Sequence, residues 1–164
     1  MKKIAVTSLL LCVVISLSFG QVEKVAVETL ELPQLLQRIN NQSDTLYVVN
    51  FWATWCTPCV AEIPEFNKIP TQFKHRPVKV ILASLDFQGQ KEKRIIPFIR
   101  ANNITHSVVH LITPRGGDWI NDIDSSWSGA IPATLLVYQQ SKRTFFEGQL
   151  DYPGIISLME KTLK

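Results

Sequence analysis

Apolar residues follow two rhythms along this chain. Leu46–Trp52 is apolar at all but one position, and Val78–Leu85 is nearly so until Asp86 closes it. Runs of this length without alternation predict strands covered on both faces, as in a parallel sheet. Leu32, Leu35, Leu36 and Ile39 have the spacing of one helix face, and the polar cluster from Asn40 to Asp44 stops it. Thr57 to about Lys68 reads as a second helix, with Pro58 tolerated in its first turn, Pro64 forcing a kink and Pro70 ending or bending it. Gln90–Asn102 predicts a third, burying Ile95, Ile96, Phe98 and Ile99, and Val108–Ile112 a short strand. Val22–Val27 alternates weakly, as an edge strand would. The Gly-, Asp- and Trp-rich segment Thr113–Ser128 predicts a loop with a helical turn. Ala133–Tyr138 and Arg143–Gly148 predict a hairpin across Gln139–Lys142. A closing helix from Asp151 or Tyr152 to Leu163 packs through Ile155, Ile156, Leu158 and Met159. The order βα, βα, ββα implies an α/β fold, a mixed sheet with helices on both faces.

Composition narrows this picture without changing it. The chain has 164 residues, 46% of them hydrophobic, which fits one domain with a core of its own. Met1–Gly20 has the three parts of a cleaved export signal: basic Lys2-Lys3, an apolar stretch from Ile4 to Leu17, and small residues at Ser18 and Gly20. A membrane anchor is the other reading, but the stretch is short of the roughly 20 residues that span a bilayer. Residues 21–164 then form the mature domain, with 15 basic and 14 acidic side chains. That near-neutral balance gives no electrostatic case for nucleic acid or anionic lipid as a partner. Asn41-Gln42-Ser43 and Asn103-Ile104-Thr105 match the glycosylation acceptor pattern.

Export would leave two cysteines, Cys56 and Cys59, too close in sequence to staple a fold. They sit in Trp55-Cys56-Thr57-Pro58-Cys59, where a buried strand gives way to a helix. A helix N-terminus presents unsatisfied N–H groups and about half a positive charge, which favours the thiolate of Cys56. Cys59, one turn on, is placed to resolve a mixed disulfide, so the pair reads as a dithiol redox motif. An inert disulfide and a metal site are the competing readings. A zinc site of this type needs four ligands and there is no second cysteine pair. His75, His106 and His110 read as surface or packing residues, so no metal or other cofactor is expected. Glu62 stands three residues after Cys59, either as a partly buried carboxylate serving the resolving thiol or as a solvated helix residue. Trp119 and Trp127, with Asp118, Asp122 and Asp124, are either the rim of a substrate groove or packing residues.

The run Val49-Asn50-Phe51-Trp52-Ala53-Thr54-Trp55-Cys56-Thr57-Pro58-Cys59, with Glu62 and Pro64, resembles the exported thioredoxin-like proteins of the TlpA/ResA kind. A second anchor, Gly129-Ala130-Ile131-Pro132-Ala133-Thr134, resembles that family's cis-proline loop. The resemblance runs from about residue 28 to the C-terminus. It implies a thioredoxin fold, a Cys56–Cys59 disulfide, Pro132 lying against the cysteines, and substrate docking by Trp55, Ile131 and Pro132. Asn50 departs from cytosolic thioredoxins, which carry a buried Asp at that position, and so places the proton acceptor for Cys59 elsewhere, with Glu62 the candidate. Thr57 and Pro58 tune the couple: neither is a cation that would stabilise the reduced thiolate, which points to an electron donor. The expected partners are exported proteins with disulfides, apocytochrome c among them, and an inner-membrane thiol donor that re-reduces the pair. The alternatives are a disulfide-forming oxidase, a peroxidase, and a non-catalytic copper carrier.

Overall fold

A computed structural model describes residues 26–114 and 116–164. The leader Met1–Gly20 and the first part of the proposed Val22–Val27 strand lie outside them. Six strands form the sheet in the order β1-β5-β4-β2-β6-β7. β1 is Glu28–Glu31, β2 Leu46–Trp52, β4 Arg76–Ser84, β5 Ser107–Ile112, β6 Ala133–Tyr138 and β7 Lys142–Glu147. β3, Gln72–Phe73, folds back onto the start of β4. The β1–β5, β5–β4 and β4–β2 pairs are parallel, and β2–β6 and β6–β7 are antiparallel. The helices are α1, Leu32–Ile39; α2, Thr57–Asn67; α3, Ile96–Ala101; α4, Ile120–Ile123; and α5, Tyr152–Thr162.

β2 is the centre of this arrangement, and all seven of its residues are buried. Because successive side chains of a strand point to opposite faces, its sequence divides between two cores. Leu46, Val48 and Trp52 join the core under α2, α3 and α5, with Ile63, Phe66, Ile99, Ile155 and Met159. Tyr47, Val49 and Phe51 join the core under α1 and α4, with Leu35, Ile39, Ile123 and Trp127. The same alternation sends Asn50 to the α2 side, the one polar group in that row.

Several boundaries differ from the sequence reading for local reasons. The edge strand is Glu28–Glu31, with Ala26 and Val27 ahead of it. Only Leu30 of the four is buried, so pairing with β5 rather than hydrophobicity selects this segment. β4 begins two residues early because Lys74 and His75 form a two-residue turn, both at positive φ, that pairs β3 with it. This left-handed pair is the backbone a tight hairpin requires, made here without the usual Asn-Gly. The third helix opens as a π-helical turn, Lys91–Ile95, in which Ile95 N–H donates to Gln90 O at 3.4 Å. α2 carries Pro64 within it and stops at Asn67, one residue short of Lys68 and ahead of Pro70.

α5 starts where Asp151 accepts a hydrogen bond from Gly154 N–H at 2.9 Å. An N-cap of this kind contributes about 1 kcal/mol. Asp151→Ala is therefore expected to lower the thermal midpoint by roughly 3 °C, measurable by calorimetry. An unchanged midpoint would mean that packing of Ile155 and Met159 alone holds the helix.

Candidate active site

The site grows from the end of β2. Beyond Trp52 the chain turns through Ala53–Trp55, and Cys56 becomes the N-cap of α2. Its Sγ accepts from Cys59 N–H at 3.3 Å, so a free N–H of the first turn points at the sulfur. Thr57 and Pro58 occupy the first two helical positions, where a missing N–H costs nothing. Cys56 and Cys59 are joined in a disulfide, with Cα atoms 5.2 Å apart. Cys59 is 0% exposed and Cys56 6%, so only Cys56 meets an incoming partner.

Two further elements converge on the pair. The Ile131–Pro132 peptide bond is cis, and the Ile131 carbonyl oxygen lies 3.6 Å from Cys56 Sγ. Pro132 is buried, Ile131 half-buried, and Gly129 and Ala130 stand exposed beside them. Pro132 O accepts from Gly148 N–H at 2.9 Å, which ties this loop to the end of β7. The Trp55 side chain lies outside the core, 53% exposed.

Behind the disulfide lies a buried polar group. Glu62 is 1% exposed, so the reading of a solvated helix residue is set aside. Its carboxylate accepts from Asn50 Nδ2 at 2.7 Å and from Leu150 N–H at 2.8 Å. Asn50 also donates to Thr134 Oγ1 at 3.2 Å. Burial raises the Glu62 pKa from 4.5 to about 7, against the lowering effect of the Leu150 and Asn50 hydrogen bonds. Glu62 and Cys59 are three residues apart on α2, and at that spacing side chains are neighbours on a helix surface.

Asp86 and His110 carry a second buried cluster that sequence reasoning missed. The Asp86 carboxylate accepts from Thr54 N–H at 3.0 Å, Thr54 Oγ1 at 2.5 Å and Ser84 Oγ at 2.7 Å. His110 Nε2 lies 2.9 Å from Asp86 O. This clamp fixes the turn that delivers Cys56. In the sequence Asp86 shows only as the polar end of a strand, because its distant partners are Thr54, in the turn beyond β2, and His110 on β5.

The two tryptophans of the Thr113–Ser128 segment are packing residues. Trp127 is buried between Phe51 and Phe145, with ring centroids at 4.9 and 5.8 Å, and Trp119 meets its edge at 5.5 Å. His106 Nε2 lies 2.9 Å from Phe66 O, away from the cysteines. Among the described residues no three His, Cys, Asp or Glu side chains converge as a metal site would need.

A profile of the thioredoxin family matches residues 26–96. The thiol-disulfide oxidoreductase ResA of Oceanobacillus iheyensis is 31% identical over 80 residues, 49% of this chain and 40% of that protein. The sporulation thiol-disulfide oxidoreductase A of Bacillus subtilis is 31% identical over 62 residues, 38% of each chain. The matched stretches thus span about two-fifths of the length of these relatives. A thioredoxin-related protein from Neisseria meningitidis serogroup B superposes with a TM-score of 0.59 at 20% identity, covering 78% of this chain and 90% of that one. StoA from Bacillus subtilis gives 0.54 at 20% identity, covering 71% and 84%. A dithiol at the mouth of α2, a cis-proline loop against it and these likenesses agree: the chain has a thioredoxin fold and, over the matched stretches, is similar to ResA-type thiol-disulfide oxidoreductases.

Proposed function

We propose that this chain is an exported thiol:disulfide oxidoreductase that reduces disulfides of exported proteins, with cysteine pairs of apocytochrome c as a substrate class. The observation that carries the reading is the Cys56–Cys59 pair at the start of α2, with Cys56 slightly exposed and Cys59 fully buried behind it. In the reduced form, the Cys56 thiolate attacks one sulfur of the substrate disulfide. A mixed disulfide forms and the first substrate thiolate leaves. The Cys59 thiol gives up its proton and its sulfur attacks Cys56 Sγ, releasing the second substrate thiolate and closing the Cys56–Cys59 bond. Two electrons pass to the substrate, and an inner-membrane dithiol donor returns them to the pair.

Glu62 is the proposed acceptor of the Cys59 proton, since a carboxyl titrating at about 7 is matched to proton transfer near neutral pH. The Ile131–Pro132 loop and Trp55 are the proposed docking points for an extended substrate segment. Thr57 and Pro58 bring no cation to the sulfurs, which favours the disulfide and makes the dithiol a donor.

The reduction potential of the couple, measured by equilibration with glutathione, tests the direction. A value near that of thioredoxin, about −270 mV, is expected. A value near about −120 mV would make the protein a disulfide-forming oxidase.

A further inference from the structure

The surface around the strand-to-helix turn carries two features that thiol–disulfide exchange does not itself need. Phe87, 72% exposed, stacks with Trp55 at a centroid distance of 6.3 Å and an interplanar angle of 20°. Trp55 adjoins Cys56 in sequence, so this aromatic pair stands in water beside the reactive sulfur. Exposed apolar patches in such positions mark contact surfaces.

From Phe87 the chain runs into the π-helical turn Lys91–Ile95. π-turns are rare and are frequent at functional sites. Here the turn places Lys93 and Arg94 on a groove of about 390 Å³, which Thr54, Pro97, Phe98 and Asn102 also line. Thr54 is two residues before Cys56, and Phe98 packs on the buried Trp52 at 5.1 Å. The groove therefore abuts the turn that carries the cysteine.

Among the described residues neither Lys93 nor Arg94 forms an ion pair or donates a side-chain hydrogen bond. Arg38, Lys68, Lys74 and Arg76 each face a carboxylate, and Lys91 reaches Thr29 Oγ1 at 3.3 Å. No acidic side chain lines this groove. Two unpaired cations on the groove that Thr54 lines, and an exposed aromatic stacked on Trp55, thus border the turn that carries Cys56, in a chain that is otherwise nearly balanced in charge.

We propose that this groove takes an acidic segment of the substrate protein next to its disulfide, with carboxylates on Lys93 and Arg94 and an apolar side chain on Phe87. The inference rests on the reading of Cys56–Cys59 as a reductase and names the class of substrate it prefers.

The test uses the reduced full chain and three probes: hydroxyethyl disulfide, and two cystine peptides with one aromatic residue each, one flanked by Asp and Glu and the other by Lys and Arg. At low ionic strength kcat/KM for the acidic peptide is expected to exceed that for the basic one by about tenfold. Raising the salt to about 0.5 M collapses the ratio, since exposed charges are screened over a few ångströms. The double variant Lys93→Glu/Arg94→Glu is expected to invert it, a gain for the basic peptide that misfolding would not give. Phe87→Ala slows both peptides alike, by a few-fold, because an aromatic contact has no sign. Equal rates for the two peptides, or a preference that survives charge reversal, would overturn the inference and leave the reductase intact. Failure to reduce all three probes would remove the reductase reading and the inference with it.

Discussion

Cys56→Ser is expected to abolish disulfide reduction, a loss of several orders of magnitude, while Cys59→Ser leaves the attack intact and accumulates a mixed disulfide. The asymmetry follows from position. Cys56 is the N-cap of α2, and its sulfur receives the Cys59 N–H at 3.3 Å in a region of partial positive charge. A thiolate is stabilised there, whereas a serine hydroxyl stays protonated and is a poor nucleophile at neutral pH. Cys59 is fully buried behind it, so a substrate disulfide does not reach it first. Removing Cys59 therefore takes away only the resolving step, and the substrate stays bound through sulfur. Turnover of a peptide disulfide and mass spectrometry of the trapped adduct check both halves. If Cys59→Ser retains full turnover and yields no adduct, the two-cysteine mechanism is wrong. If Cys56→Ser traps substrate instead, the roles of the two sulfurs are exchanged.

How much of this site the sequence discloses depends on how local the determinants are. The Cys-x-x-Cys motif, the buried run Leu46–Trp52 and the helix at Thr57 lie within 22 consecutive residues, and the structure places all three as their pattern predicts. The hairpin of β6 and β7 and the closing helix from Asp151 or Tyr152 are equally local, and only their boundaries shift by a residue. The features that the sequence leaves open, as for Glu62, or misses are made by pairing across the fold. Glu62 is buried because Asn50 on β2 and Leu150 ahead of α5 close over it, and those partners are 12 and 88 residues away. Asp86 clamps Thr54 across 32 residues. Glu28–Glu31 is polar at three of four positions and becomes a strand only through β5. Phe87 and Lys93 are the reverse case. Their side chains stay outside the core, and only their placement beside Trp55 and Thr54 sets them apart from an ordinary solvated loop.

The Glu62 carboxyl should make the folded chain less stable as pH rises. Desolvation holds its pKa at about 7 in the fold, against 4.5 for an unperturbed glutamate. Below pH 4.5 the group is protonated in both states and carries no penalty. Between 4.5 and 7 the unfolded chain has released a proton that the folded chain keeps, so each step up in pH favours unfolding. Above 7 both states are ionised, and the penalty levels off at about 3 kcal/mol. Urea midpoints of the oxidised protein from pH 4.5 to 8 measure this, with Glu62→Gln as the comparison. The amide oxygen of glutamine still accepts from Leu150 N–H, while its NH2 stands where the other oxygen accepts from Asn50 Nδ2, so the variant keeps one of the two hydrogen bonds and loses the titration. The difference between the two proteins should open across that interval in favour of the variant. Parallel curves would show that Glu62 ionises normally in the fold. The same group bears on the chemistry, because a neutral amide cannot take the Cys59 proton. In single-turnover experiments, release of substrate from the mixed disulfide is therefore expected to lose a pH dependence centred near 7 in the Glu62→Gln variant. A variant that is stabilised yet retains that dependence would separate the two effects and move the proton acceptor to another group.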